Sequence, residues 1–116
     1  MLKTILPVIA LLYTIALAIV SLISSDNLPN LEVANSDKIA HLFAYSILCL
    51  VWYLALKKNK ISKPLFVASS VAIFYGIILE VLQGTFTAER ISEGYDILAN
   101  CLGVVIISII IINVFI

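Results

Sequence analysis

The sequence predicts an all-α integral membrane protein, a single four-helix up-down bundle over residues 1–116 with both termini on the cytoplasmic side. Three observations predict it. First, 63% of the residues are hydrophobic and 12% charged, with a mean hydropathy of +1.18, whereas soluble chains run at about 45–50% apolar and 25% charged. Second, the apolar residues fall into four blocks, each near the ~20 residues that cross a bilayer as a helix. Third, Lys57, Lys58, Lys60 and Lys63 crowd one short connector, and lysine-rich connectors stay on the cytoplasmic side.

The first block is about 5–24. Pro7 falls in its opening turn, where a missing N–H costs little. Met1-Leu2-Lys3 before a long apolar run imitates a signal peptide, but the run is too long for a typical h-region and no A-x-A site follows it. A retained transmembrane helix is expected. The second block, about 39–56, carries His41 and Tyr45 near its start and Trp52-Tyr53 near its end, where an interfacial aromatic belt would place them. The third, about 64–83, opens on Pro64, a good first helical residue. The fourth, about 97–116, contains a β-branched run that would pass for a strand in water. Within lipid an open strand cannot satisfy its backbone, so the run is a helix.

Small residues then mark the packing faces. Ala68, Ala72, Gly76 and Glu80 recur every four residues in the third helix, and Ala10, Thr14, Ala18, Ser21 and Ser25 form a similar stripe in the first. Such stripes let membrane helices approach closely. Glu80 continues one, so it is expected to face the bundle rather than lipid. Cys49 and Cys101 lie at depths differing by roughly 10 Å at 1.5 Å per residue, beyond the ~7 Å limit for a bridge; both read as small buried hydrophobes.

The composition also excludes classes. The net charge is zero, so no basic surface suggests nucleic acid. No Gly-rich phosphate loop, HExxH or CxxC occurs, and no cofactor or metal is expected.

What remains is a set of polar residues that a bilayer makes expensive. A carboxylate at the centre of a membrane helix costs about 2.5–3.5 kcal/mol on insertion scales. Asp37, His41 and Tyr45 share one face of the second helix, with Lys38 beside them; Glu80 and Gln83 share a face of the third; Asp96, Asn100 and Gly103 share one of the fourth. His41, Glu80 and Asn100 each stand three or four residues inside their spans, roughly 5–6 Å below the outer boundary. Arg90, in the connector between Gln83 and Asp96, can fold over them.

These motifs together, Asp37-Lys38-x-x-His41-x-x-x-Tyr45, Gly76-x-x-x-Glu80-x-x-Gln83, and Arg90 followed by Asp96-x-x-x-Asn100-x-x-Gly103, resemble the VanZ-like family of small bacterial membrane proteins. The resemblance covers Asp37 to Gly103; the first helix matches only as a hydrophobic segment. It implies four transmembrane helices, a place in the bacterial inner membrane and an envelope role, the namesake being an accessory protein of glycopeptide-resistance clusters that reduces sensitivity to teicoplanin. Two departures stand out. Ala88-Glu89 replaces the Pro-Gly expected before the arginine, and Ile107 replaces a second small residue in the last helix.

Each residue has a bland reading beside its functional one. Glu80 in an ion pair with Lys38, Arg90 or His41 would merely lock the bundle, although buried pairs often add little net stability. His41 is either a histidine hydrogen-bonded to a carboxylate or a proton acceptor. Asp96 stands where a helix cap belongs. Asn100, Gly103 and Tyr45 suit packing. The lysine connector is a topological signal with anionic-lipid attraction as a by-product.

Two functions of different class follow. In the first, the cluster binds the headgroup of a lipid or lipid-like amphiphile, an envelope lipid precursor or a lipid-tailed glycopeptide. Lys38 and Arg90 would contact its phosphate or carboxylate, and Asp37, His41, Tyr45, Glu80, Gln83, Asp96 and Asn100 would complete the pocket. In the second, an intramembrane enzyme acts on an envelope lipid, with His41 and Glu80 exchanging protons, or with Asp96 holding a metal. Binding is preferred, because no fixed metal-ligand spacing and no nucleophile elbow around Thr85, Thr87 or Ser92 is present. A structural partner subunit, with self-association or a larger membrane partner, is the third reading.

Overall fold

The computed structural model describes residues 2–23, 34–86 and 94–115, with side chains for 2–20, 39–82 and 97–115. Among these residues the only regular elements are four helices: α1 (Leu2–Ile23), α2 (Ala34–Lys58), α3 (Pro64–Phe86) and α4 (Gly94–Phe115). Each holds a window long and apolar enough to cross a membrane: Leu2–Val20, Ile39–Lys58, Pro64–Leu82 and Ile97–Phe115. The windows fall where the hydropathy blocks place them. At one end of the bundle α2 begins with Ala34-Asn35-Ser36-Asp37-Lys38 and α4 with Gly94-Tyr95-Asp96, polar helical turns ahead of the apolar runs.

The helices pack with α2 and α3 side by side, and with α1 and α4 each lying against both of them; α1 and α4 do not touch among the described residues. The small-residue stripe explains why α3 can sit at the centre. Ala68, Ala72, Gly76 and Glu80 are all buried, so its backbone meets neighbours along one whole face. Where α4 meets α2 the approach is closest. A Cβ added to Gly103 would lie 2.2 Å from the Leu42 carbonyl oxygen, so only glycine fits. Ser46 Oγ sits 2.8 Å from both the Leu42 and the Gly103 carbonyls and shares its one proton between them. Ile107, one turn on, is partly buried against the core; α4 packs closely with one small residue where two were expected.

Polar contacts fasten α1. Trp52 Nε1 donates to Thr14 Oγ1 at 2.9 Å, and that hydroxyl donates to Ala10 O at 2.7 Å. Tyr75 Oη donates to Thr14 O at 2.5 Å, and Tyr13 Oη to Ala44 O at 2.7 Å. Trp52 is thus tied to α1, and Tyr53 is 1% exposed, against Phe115 at 6.1 Å between centroids. Each ring of the aromatic pair therefore packs on a neighbouring helix, Trp52 partly buried against α1 and Tyr53 buried against α4. Ser69 spans α3 and α4, 3.3 Å from Ser108, with Cys49 Sγ 4.0 Å from Ser69 Oγ. Both cysteines are free thiols, Cys49 buried and Cys101 partly so.

The α2–α3 connector is built by its backbone. Lys60 N–H bonds Lys57 O and Ile61 N–H bonds Leu56 O, both at 3.0 Å, with Lys60 left-handed at φ 59°. This is the paired helix-ending motif in which glycine usually takes the left-handed position. Pro7 lies six residues into α1, past its opening turn, because the helix starts at Leu2 rather than near Ile5. It cannot serve the Lys3 carbonyl; Asn59 Nδ2 does so instead, at 3.0 Å, from the end of α2.

Candidate functional site

Three helices meet at Gly76. A Cβ built there would lie 2.9 Å from Asn100 Nδ2, 3.3 Å from Asn100 Cβ and 3.1 Å from Tyr45 Cε1. The missing side chain is the space into which α4 sends an amide and α2 a phenol ring. Tyr45 is 3% exposed, Asn100 2% and Glu80 1%. The His41 ring, one turn from Tyr45 on the same face of α2, lies 6.5 Å from the Tyr45 ring.

Glu80 follows Gly76 by one turn on the buried stripe of α3. Long helical side chains lean toward the helix N-terminus, so the Glu80 carboxylate leans back toward the level of Gly76, Asn100 and Tyr45. Tyr45 and Glu80 are within electrostatic reach of one another. The expectation that Glu80 faces the bundle is met. In hydrocarbon this carboxylate would be costly; here it is enclosed by protein, where hydrogen-bonding and charged groups can offset part of that cost.

Asn100 presents a sharper feature. Its Oδ1 is buried and accepts no hydrogen bond among the described residues. An orphaned buried acceptor costs on the order of 1–3 kcal/mol, more than a packing role requires, since an apolar residue of similar volume would avoid it. The amide thus offers an acceptor to whatever donor enters between α2, α3 and α4.

The three residues stand at matching distances from the helix ends. His41 stands seven residues after the start of α2, Glu80 six before the end of α3 and Asn100 six after the start of α4, roughly 9–10 Å from the helix ends at 1.5 Å per residue. Between them and those ends lie helical turns that carry Asp37, Lys38, Gln83 and Asp96 in sequence.

Of the remaining candidates, Asp37 and Lys38 lie on α2, Gln83 on α3 and Asp96 on α4, with side chains outside the described residues; Arg90 lies outside them entirely. Asp96 stands one turn before Asn100, at the register of Glu80. Among the described residues no three His, Cys, Asp or Glu side chains are grouped to hold a metal. Sequence reasoning overlooked Ser46, whose hydroxyl binds the α2 and α4 carbonyls beside Gly103. Its position one residue after Tyr45, one turn from Leu42, was the available signal.

A four-helix membrane protein with a buried carboxylate and amide at one end is the class that this fold and site define. Within that class, the VanZ/LLP1 family model matches residues 10–116, and the chain belongs to that family. Comparison with curated proteins and with solved structures found no match.

Proposed function

We propose that this multi-pass membrane protein binds the headgroup of an envelope lipid or lipid-like amphiphile at the polar end of the bundle. The observation that carries the proposal is the Asn100 acceptor, buried without a hydrogen bond among the described residues beside Gly76. A headgroup hydroxyl, amide or ammonium would supply the missing donor, and its acyl chain would follow the exposed apolar flank of α3 (Phe74, Ile78 and Val81). Glu80 adds an enclosed carboxylate next to that donor site, while the sequence supplies Lys38 and Arg90 at the same end for phosphate or carboxylate. Carboxylates and cations together suit an amphoteric headgroup. A lipid-linked wall precursor or an acyl-tailed glycopeptide meets this description, in keeping with the family's link to teicoplanin resistance. The positive connector supports a cytoplasmic lysine end, and with it a polar end at the opposite face of a bacterial inner membrane.

The test is native mass spectrometry of protein taken from bacterial membranes in mild detergent, beside thermal unfolding. Wild-type protein is expected to carry an amphiphile that Asn100→Leu and Glu80→Gln both lose. Because Asn100→Leu removes an orphaned acceptor at similar volume, its unliganded stability should match or exceed that of wild type. Retention of the amphiphile by a folded Asn100→Leu protein would overturn the proposal. Destabilisation by both variants without any bound amphiphile in wild type would favour a purely structural cluster, and conversion of a labelled envelope lipid would favour the enzyme.

A further inference from the structure

The opposite end of the bundle carries a separate site. Lys57 Nζ lies 5.6 Å above the Tyr53 ring and 5.7 Å from the Phe115 centroid, within the ~6 Å over which a ring face attracts an ammonium. The same Tyr53 floors a cavity of about 310 Å³ lined by Lys63, Pro64, Leu65 and Phe66. Lys57 over the ring and Lys63 in the cavity wall thus share one buried aromatic, and an apolar wall follows the start of α3, where Phe66 is 70% exposed.

Charge chooses the occupant. Lys57, Lys58, Lys60 and Lys63 are all exposed, and no Asp or Glu occurs anywhere in the sequence between Lys38 and Glu80. Lys63 lines the cavity, Lys57 sits over the Tyr53 ring that also lines it, Pro64, Leu65 and Phe66 give it hydrocarbon-compatible walls, and this segment of chain supplies no carboxylate. We infer that it seats an anionic phospholipid of the leaflet at the lysine end, the phosphate between Lys57 and Lys63 and the upper acyl chain against Leu65 and Phe66. This site does not depend on the amphiphile reading of the polar end.

The competing account is diffuse. Lysines at this end fix topology, Lys57 and Lys58 complement the α2 C-terminus, and any basic connector attracts anionic lipid. Two double variants separate a seat from a charged surface, because each removes two positive charges: Lys57→Gln with Lys63→Gln at the cavity, and Lys58→Gln with Lys60→Gln beside it. The probe is phosphatidylglycerol, counted per protein by native mass spectrometry after release from nanodiscs of equal phosphatidylglycerol and phosphatidylcholine. Unchanged helicity by circular dichroism serves as the folding check. The cavity pair should lose most of the retained phosphatidylglycerol, while the neighbouring pair keeps most of it. Any result in which the cavity pair falls no further than the neighbouring pair overturns the seat.

Discussion

Gly76 on α3 faces Asn100 on α4 so closely that a single added methyl would stand 2.9 Å from the amide nitrogen. Tyr45 closes the same space at 3.1 Å. Gly76→Ala should therefore act on the site before it acts on the fold. The amide end can turn aside, but Asn100 Cβ and the Tyr45 ring must give by a few tenths of an ångström. The expected stability loss is about 1 kcal/mol, the low end for overpacking, together with loss of the co-purified amphiphile. Parallel unfolding and native mass spectrometry check both. Full retention of the amphiphile at unchanged stability would show that the space at Gly76 has no bearing on binding.

Much of this arrangement was legible in the sequence because lipid narrows the choices. A backbone in hydrocarbon must be helical, so four apolar blocks became four helices with windows close to those expected. The spacing of Ala68, Ala72, Gly76 and Glu80 sufficed to turn α3 the right way. Contacts between helices were harder to read. For Trp52 and Tyr53 the sequence indicates depth along a helix, whereas the helix each ring packs on, α1 for Trp52 and α4 for Tyr53, depends on the neighbours. The role of Thr14 was hidden for the same reason, as its partners Trp52 and Tyr75 are remote in the chain. The orphaned Asn100 acceptor was equally invisible, since an unsatisfied atom is defined by its surroundings.

At Gly103 the neighbour is backbone. An added Cβ would be 2.2 Å from the Leu42 carbonyl oxygen and 3.0 Å from Ser46 Oγ, and a carbonyl within a helix cannot swing away. Gly103→Ala must push α4 from α2 and break the Ser46 hydroxyl contact between the Leu42 and Gly103 carbonyls. Overpacking of this kind costs typically 1–3 kcal/mol, and backbone on backbone belongs at or above the top of that range. The variant should unfold at markedly lower denaturant or temperature in detergent than Gly76→Ala does. Similar stabilities for the two glycine variants would mean that α2 and α4 are not held as closely as the geometry requires.

Thr14 joins α1 to the rest of the bundle through its side chain and its carbonyl. Thr14→Val keeps the shape and the carbonyl that accepts from Tyr75 but removes the acceptor of Trp52 Nε1. Measured hydrogen bonds between membrane helices average about 0.6 kcal/mol and reach about 1.7. Since the orphaned indole N–H would remain among apolar groups, the upper half of that range is expected. Loss of α1 should be seen first, so a disulfide-trapping or cleavage assay of α1 release is the sensitive measurement, with Trp52 fluorescence reporting the lost hydrogen bond.

The last prediction concerns how Pro7 is tolerated six residues into α1. Proline leaves the Lys3 carbonyl without its helical donor, and Asn59 Nδ2 takes the vacant place at 3.0 Å while also donating to Ala55 O at 2.9 Å. Asn59→Ala should then expose the Lys3 carbonyl near the apolar boundary, at a cost of about 0.5–1.5 kcal/mol, the net value of an ordinary hydrogen bond. In a Pro7→Ala background residue 7 regains its own N–H, so the same substitution should cost less. A double-mutant cycle isolates this coupling: the two substitutions together should cost less than the sum of the single costs, although positions 7 and 59 lie in different segments of the chain. Strict additivity would show that the Lys3 carbonyl is satisfied by water, with the asparagine serving only to end α2.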